Sequence, residues 1–345
     1  MNETIGKYDI IYENKIMVYD VMLNNYEINR PIYISASPDA VDVSIITKDI
    51  ALLQFSTEKK TPLKSIAAIG DGVNDLPFLT IEGLGLIGAP SNAQKTVIKY
   101  ISKTVNGKIC KHAFFQGFAE FYKYAAESAI STIFTDRDGV LVSKENDIWM
   151  PNLAALFKKS GSKNRGNFLP IIHVLTGSGV EQNKSFVDSI NRYADIGSNR
   201  YIISDPYIIH AENGAIQINI ITGEWRYATY VENNRDYIDF IRGNFLDTAK
   251  TRIEKYIFRK WDLQWSYHHG DQDGKIYMPE KKTMVTWNIP KTMNNIKNFR
   301  GNLISDKLRT DIIKVIENVA EELKLPYFII GTTDDKVNDK VILTA

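Results

Sequence analysis

Residues 65–79 read SIAAIGDGVNDLPFL. An apolar run, Ile66-Ala67-Ala68-Ile69, stops at Gly70 and is followed by Asp71, a tight turn, Asn74 and Asp75, then apolar residues again. A short uncharged run closed by glycine predicts a strand buried on both faces. It leaves two carboxylates, four residues apart, just beyond the carboxyl end of that strand. Ligands collect at this edge of α/β sheets, and carboxylate oxygens are the donors a hard divalent cation requires. Alone, GDGVND also reads as a plain Gly/Asn/Asp turn between a strand and a helix.

Two other stretches repeat the event. In STIFTDRDGVLV, residues 131–142, a buried strand Thr132–Thr135 runs into Asp136, Arg137, Asp138 and Gly139. A strand Pro170–Leu175 ends in Thr176-Gly177-Ser178-Gly179. Parallel pairing in one sheet would gather these ends at one edge, with an ammonium from Lys48 at the start of a helix. Four clustered carboxylates do not all stay ionised without a cation. With a cation the set suits a phosphoryl group: one aspartate attacks phosphorus, a second moves a proton, and threonine and lysine hold oxygens. Strand-like alternation is expected to turn Arg137 away from the site.

Around this core the pattern predicts strands at Asp9–Tyr12, Ile16–Leu23, Pro31–Ser35, 41–46 and Gly83–Gly88. Helices are expected at Lys48–Phe55, Ser91–Ser102 (capped by Ser91 or Asn92), Lys111–Ser128, Asn152–Lys159 and Glu181–Ala194. Tyr201–Ser204 and His210–Ile220 read as strands, the latter broken by a turn at Glu212–Ala215. From about Trp225 the texture changes. Long helices, Asp236–Trp261 and Ser305–Leu323, alternate with strands at Leu263–Tyr267, Thr283–Asn288, Tyr327–Gly331 and Lys340–Leu343. Trp225, Trp261, Trp265 and Trp287 all fall here, so a second α+β domain is expected.

The 345 residues are 44% hydrophobic and 24% charged with a net charge of +1, a globular profile with room for two domains and no pull toward a nucleic acid polymer. The single cysteine, Cys110, excludes an intramolecular disulfide and is expected in the core. The opening MNETIGKYD lacks a basic-then-apolar leader, and no stretch approaches the ~20 apolar residues of a membrane span. A cytoplasmic protein without a membrane partner is expected; oligomeric state is not legible. His268-His269-Gly270-Asp271 reads as a loop rather than a metal site, because adjacent imidazoles diverge and no third ligand has helical spacing. His173, inside a buried strand, reads as a core histidine.

DRDGV at Asp136–Val140, Thr176 in HVLTGSG, Lys48 in ITKDIALL and GDGVND at Gly70–Asp75 together resemble the four motifs of the haloacid dehalogenase (HAD) superfamily of Mg²⁺-dependent phosphatases. GLIGAPSNAQKTVIKYISKTV resembles the segment after the acidic motif in members with a large cap, and HAENGAIQI resembles the entry to that cap. P-type ion pumps share a similar acidic motif, but the chain lacks their DKTGT-like segment and membrane spans. The motif order departs from the family's. Here it runs lysine, acidic, nucleophile, threonine, cap, which is a circular permutation. The resemblance implies an α/β fold: a HAD-like, Rossmann-type, mainly parallel core over 36–206 and an α+β cap from 207–345 plus 1–35. That cap would close the site over small substrates.

Carried over by position, the resemblance makes Asp136 the nucleophile that forms an aspartyl-phosphate, and Asp138 the acid and base. Thr176, with the N–H of Gly177, and Lys48 would bind the phosphoryl group; Lys59, Lys60 and Lys64 fit the spacing less well. Asp71, Asp75 and Asp136, with Asp138 through its carbonyl, would hold Mg²⁺. Asn74 would orient Asp75 or a water on the metal. The implied function is hydrolysis of a small phosphate monoester, a sugar phosphate first. A nucleotidase or phosphomutase of the same superfamily is the alternative, followed by a non-catalytic regulatory or carbohydrate-binding homologue.

Overall fold

The computed structural model describes residues 31–37, 40–143, 149–160, 163–164, 167–194, 205–267, 274–290 and 303–330. The expected strands Asp9–Tyr12, Ile16–Leu23, Tyr201–Ser204 and Lys340–Leu343, and the His268–Asp271 loop, lie outside them. In chain order the strands are β1 (Ile32–Ser37), β2 (Ala40–Ser44), β3 (Ile66–Ile69), β4 (Leu86–Ala89), β5 (Gly107–Ile109), β6 (Thr132–Thr135), the short β7 (Lys163–Asn164) and β8 (Asn167–Phe168), β9 (Ile171–Leu175), β10 (Ile209–Ala211), β11 (Ile216–Ile218), β12 (Trp225–Tyr227), β13 (Gln264–Ser266), β14 (Lys275–Tyr277), β15 (Met284–Asn288) and β16 (Tyr327–Ile330).

The chain divides into two compact units. One comprises Ile46–Arg235 and Glu280–Thr283; the other comprises the described residues up to Ile45, Asp236–Pro279 and those from Met284 onward. These boundaries differ from the expected 36–206 and 207–345 plus 1–35. β10 pairs parallel with β9, and β11 and β12 continue the same sheet, so the first unit runs on past 206. Ile209, Ala211, Ile216 and Ile218 are fully buried in its core. The change of texture at Trp225 therefore marks an edge strand, not a domain boundary. In the other direction, β2 pairs with β1 and β15, which takes 40–44 out of the first unit.

The first unit is built on an eight-stranded sheet of order β12-β11-β10-β9-β6-β3-β4-β5. The six strands from β10 to β5 are parallel; β11 and β12 add an antiparallel edge. Every residue of β3 and β6 is buried, as expected for strands covered on both faces. One covering helix, Phe114–Glu127, turns Phe115, Phe118, Phe121, Tyr122 and Ala125 inward at helical spacing. Phe118 and Phe121 are fully buried, each worth roughly 1.5–3 kcal/mol. Several elements begin later than the sequence pattern placed them. β4 starts at Leu86, because Gly83 (φ +85°) still lies in the preceding turn. The next helix starts at Lys95, with Gln94 at the N-cap position but no side-chain cap bond, and the Asn92 side chain is used elsewhere.

The second unit carries a mixed six-stranded sheet of order β13-β14-β15-β2-β1-β16. Its first and last strands among the described residues, β1 and β16, pair in parallel, Ile32 beside Tyr327. The expected helix Asp236–Trp261 is helical throughout, but α-helical stretches alternate with π-helical turns at Ile241–Phe245 and Ile253–Phe258. Its buried residues Ile241, Phe245, Ala249, Ile253 and Ile257 recur in steps of four. That repeat is slower than the α-helical 3.6, and the wider turns keep the row on one face. Among the described residues no helix is long and apolar enough to cross a membrane.

In the parallel sheet, the chain moves outward from β3 through β4 to β5, then returns to the other side of β3 as β6 and continues through β9 to β10. The direction of winding reverses between β3 and β6. Such a reversal opens a crevice outside the carboxyl ends of the two strands. Asp71 follows β3 and Asp136 follows β6.

Candidate active site

Asp136 N–H donates to the Ile69 carbonyl (3.1 Å), which stitches the two strand ends at the crevice. Beyond Ile69 the backbone at Gly70 lies against the Asp75 side chain, where an added Cβ would collide. The turn Val73–Asp75 then brings Asp75 back so that its Oδ2 accepts the N–H groups of Asp71 (2.9 Å) and Gly72 (3.0 Å). On the other side, Gly139 has φ +87° and packs against the Asp71 carboxylate, again leaving no room for a Cβ. Gly70 is thus needed for close approach, and Gly139 for close approach and for its positive φ.

Lys48, the first residue of the helix Lys48–Glu58, is buried and reaches both strand ends. Its Nζ lies 2.6 Å from Asp75 Oδ1 and 2.9 Å from Asp136 Oδ1. Lys59 instead pairs with Asp205 at the surface, so the choice among the candidate lysines falls to Lys48. Asp71, Asp75 and Asp136 each present an oxygen, all within 4.8 Å of one another. Ionised, these three carboxylates and one ammonium leave an excess of two negative charges in a largely buried place.

Burial pushes the Asp71 carboxyl well above the ordinary carboxylate range, and Asp75 and Asp136 push it further. Burial also raises Asp136; Lys48 opposes the rise, while Asp75 and Asp138 add to it. For Lys48, burial acts to lower the pKa, but Asp136 and Asp75 outweigh it and hold the ammonium above the usual lysine range. A divalent cation would relieve this repulsion, and three hard oxygen donors converging within a few ångströms fit Mg²⁺ or a cation like it.

The other expected residues divide. Thr176 and Gly177 follow β9, which runs beside β6 with Thr135 opposite Val174, so they lie at the same sheet edge. Thr176 is buried, and its Oγ1 accepts the N–H of Ser178 (3.1 Å). Asn74 does not orient Asp75 through a hydrogen bond. It is exposed, with its amide oxygen against Gly72, and the backbone N–H groups and Lys48 do the orienting. The Asp138 carboxylate stands apart from the three-aspartate cluster. It pairs with Arg137 (2.8 Å) and accepts a hydrogen bond from Ser178 Oγ (3.3 Å). Arg137 therefore does not point away. β6 ends at Thr135, so the alternation of a strand no longer governs residue 137.

No family model, curated protein or solved structure matches this chain.

Several supporting residues gave no sequence signal of the contacts they make. Asn92 Nδ2 donates to the Gly139 carbonyl (2.8 Å) while its Oδ1 accepts the Phe114 N–H (2.8 Å), which fixes the loop after Asp138. Gln94 accepts the Val73 N–H (2.9 Å) and donates its own N–H to the Asp71 carbonyl (2.8 Å). Glu212, fully buried, accepts the N–H groups of Lys282 (2.9 Å) and Thr283 (2.7 Å) and the Thr283 hydroxyl (2.7 Å). This pins Glu280–Thr283 so that Lys281 donates to the Gly177 carbonyl (2.9 Å), across 104 residues of sequence. Cys110 is buried, and burial pushes its thiol up to about 12, which suits a core residue and no nucleophile. His173 is likewise in the core, its Nδ1 2.9 Å from His210 Nε2.

A carboxyl whose folded pKa is raised binds its proton more tightly in the folded state. That contribution is complete below the unfolded value of about 4 and is lost as pH rises through the folded value. Without metal, the stability of the protein is therefore expected to fall between about pH 5 and pH 8 through Asp71 and Asp136. Asp71→Asn should flatten that fall, melt higher than the wild type at the alkaline end, and lose stabilisation by added Mg²⁺. Thermal melts across pH with and without Mg²⁺ check this. A steeper fall in the variant would contradict it.

Proposed function

We propose that this chain is a Mg²⁺-dependent phosphatase of the HAD type, with its motifs in circularly permuted order, acting on a small phosphate monoester. The observation that carries the reading is the Lys48 ammonium shared between Asp75 and Asp136 beside Asp71, at the crevice where the sheet reverses its winding. Lys48 contacts Asp136 Oδ1 and leaves the second oxygen of that carboxylate for phosphorus. Asp136 attacks, the ester oxygen departs, and the phosphoryl group passes to the carboxylate. Thr176 and the Gly177 N–H hold its oxygens. Asp138 gives the proton to the leaving oxygen and later takes one from water, which returns Asp136 and phosphate. Bound Mg²⁺ supplies the positive charge that offsets both the aspartates and the phosphoryl oxygens. The Lys48 ammonium adds to it in a place where burial strengthens every such interaction.

A sugar phosphate is the first expected substrate, and the activity belongs to a phosphoric monoester hydrolase. The test is phosphate release from p-nitrophenyl phosphate and a panel of sugar phosphates and nucleotides. Release that requires Mg²⁺ is expected, with one sugar phosphate ahead of the nucleotides. A phosphomutase would rearrange a sugar phosphate with little net release. Folded protein that releases no phosphate from any of them, with Mg²⁺ present, would overturn the reading.

A further inference from the structure

We propose that Arg137 is a positioning residue that holds Asp138 as the base for the second half of the reaction, an inference that rests on the phosphatase reading above. The guanidinium grips both oxygens of its neighbour: Nε donates to Asp138 Oδ1 (3.3 Å) and Nη2 to Oδ2 (2.8 Å). It is itself held from two directions. Nη1 donates to Asn183 Oδ1 (3.0 Å) and Nη2 to Ser178 Oγ (2.8 Å). Asn183 is fully buried, and its Nδ2 donates to the carbonyls of Ser178 (3.0 Å) and Gly179 (2.9 Å). The guanidinium also lies 6.0 Å from the Phe186 ring centroid, on the same helix as Asn183.

The chain of contacts runs from a packed helix through Arg137 to one carboxylate, and the exposures run the same way. The Arg137 side chain is 11% exposed and that of Asp138 46% exposed. A buried, many-bonded cation thus presents an accessible carboxylate to solvent. A bidentate arginine fixes the plane of a carboxylate as well as its position. Ser178 joins the Asp138 carboxylate to the loop that begins at Thr176, so the carboxylate is fixed relative to the expected phosphoryl-binding residues. Held this way, Asp138 presents its oxygens as acceptors, which is the form that takes a proton from water. As water attacks phosphorus, its proton passes to Asp138, the bond from Asp136 to phosphorus breaks, and phosphate leaves with the Asp136 carboxylate restored.

The test is steady-state and rapid-mixing kinetics of Arg137→Met on p-nitrophenyl phosphate with Mg²⁺. This leaving group needs no proton, so the first half of the reaction is spared. The expected result is a fall in kcat of about 100-fold, the usual scale for losing a placed base, with KM falling in proportion and kcat/KM unchanged. A burst of p-nitrophenolate equal to the enzyme concentration should appear, because phosphorylated protein accumulates. Arg137→Lys, which keeps a cation but loses the fork, should show the same pattern with a smaller fall, and serves if the methionine variant does not fold. A folded variant in which kcat/KM falls with kcat and no burst appears gives Arg137 a purely structural role and overturns the proposal. So does a variant with unchanged kcat. Wild-type protein that releases no p-nitrophenolate removes the phosphatase reading itself, and this proposal with it.

Discussion

Asp136→Asn is expected to abolish turnover while leaving the fold intact. The substitution is isosteric, and the Asp136 backbone N–H still reaches the Ile69 carbonyl. It removes the oxygen anion that Lys48 touches on the β6 side of the crevice. An amide is a far weaker nucleophile toward phosphorus, and loss of a covalent nucleophile typically costs roughly 10⁴- to 10⁶-fold in kcat. It also removes one of the neighbouring carboxylates that, added to the larger effect of burial, raise the folded-state pKa of Asp71. The variant should therefore melt no lower than the wild type in the absence of metal, and bind Mg²⁺ more weakly. Initial rates with p-nitrophenyl phosphate, paired with melting curves, check both halves. Residual activity within ten-fold of the wild type would take the nucleophile role away from Asp136.

Lys48→Met should fail in a different way. Lys48 is almost wholly inaccessible and is the counter-charge of two buried carboxylates. Removing one partner of a buried ion pair leaves an uncompensated charge and costs about 3–5 kcal/mol. The metal-free variant should thus melt well below the wild type, unlike Asp136→Asn. Mg²⁺ should recover part of the loss, because it supplies positive charge to the same oxygens. Turnover should fall by about 10²–10³-fold even in the metal-saturated protein, the scale for one preorganised charge at a phosphoryl site. A Lys48→Met variant with unchanged metal-free melting would contradict its role as the counter-charge. The two variants together separate chemistry from electrostatic support.

The parts of the site that could be read in the sequence are those fixed locally. β3, β6 and β9 are short apolar runs, and each ends in the residue that its own pattern marks, Asp71 just after Gly70, Asp136 and Thr176. Their meeting at one edge followed from parallel pairing, and the strand order supplies it. What was not legible depends on contacts between segments far apart or on backbone that leaves regular structure. Asn92 reads as a helix cap in sequence, yet it is spent on Gly139 and Phe114. Arg137 reads as outward-facing only if the strand continues, and the strand has already ended. Glu212 gives no hint in HAENGAIQI that it will anchor Lys282 and Thr283, some seventy residues later. The domain boundary moved for a similar reason: Trp225 belongs compositionally with the tryptophan-rich second half, but its backbone pairs with β11.

The most direct test of the account is to find where the phosphoryl group goes. Protein mixed with p-nitrophenyl phosphate and Mg²⁺, quenched in acid within one turnover and digested for mass spectrometry, should carry one phosphoryl group on Asp136. The adduct should be absent when Mg²⁺ is chelated and absent in Asp136→Asn. Substrate turnover with no phosphoryl group on Asp136 at any quench time, or with the group on another residue, would contradict the account.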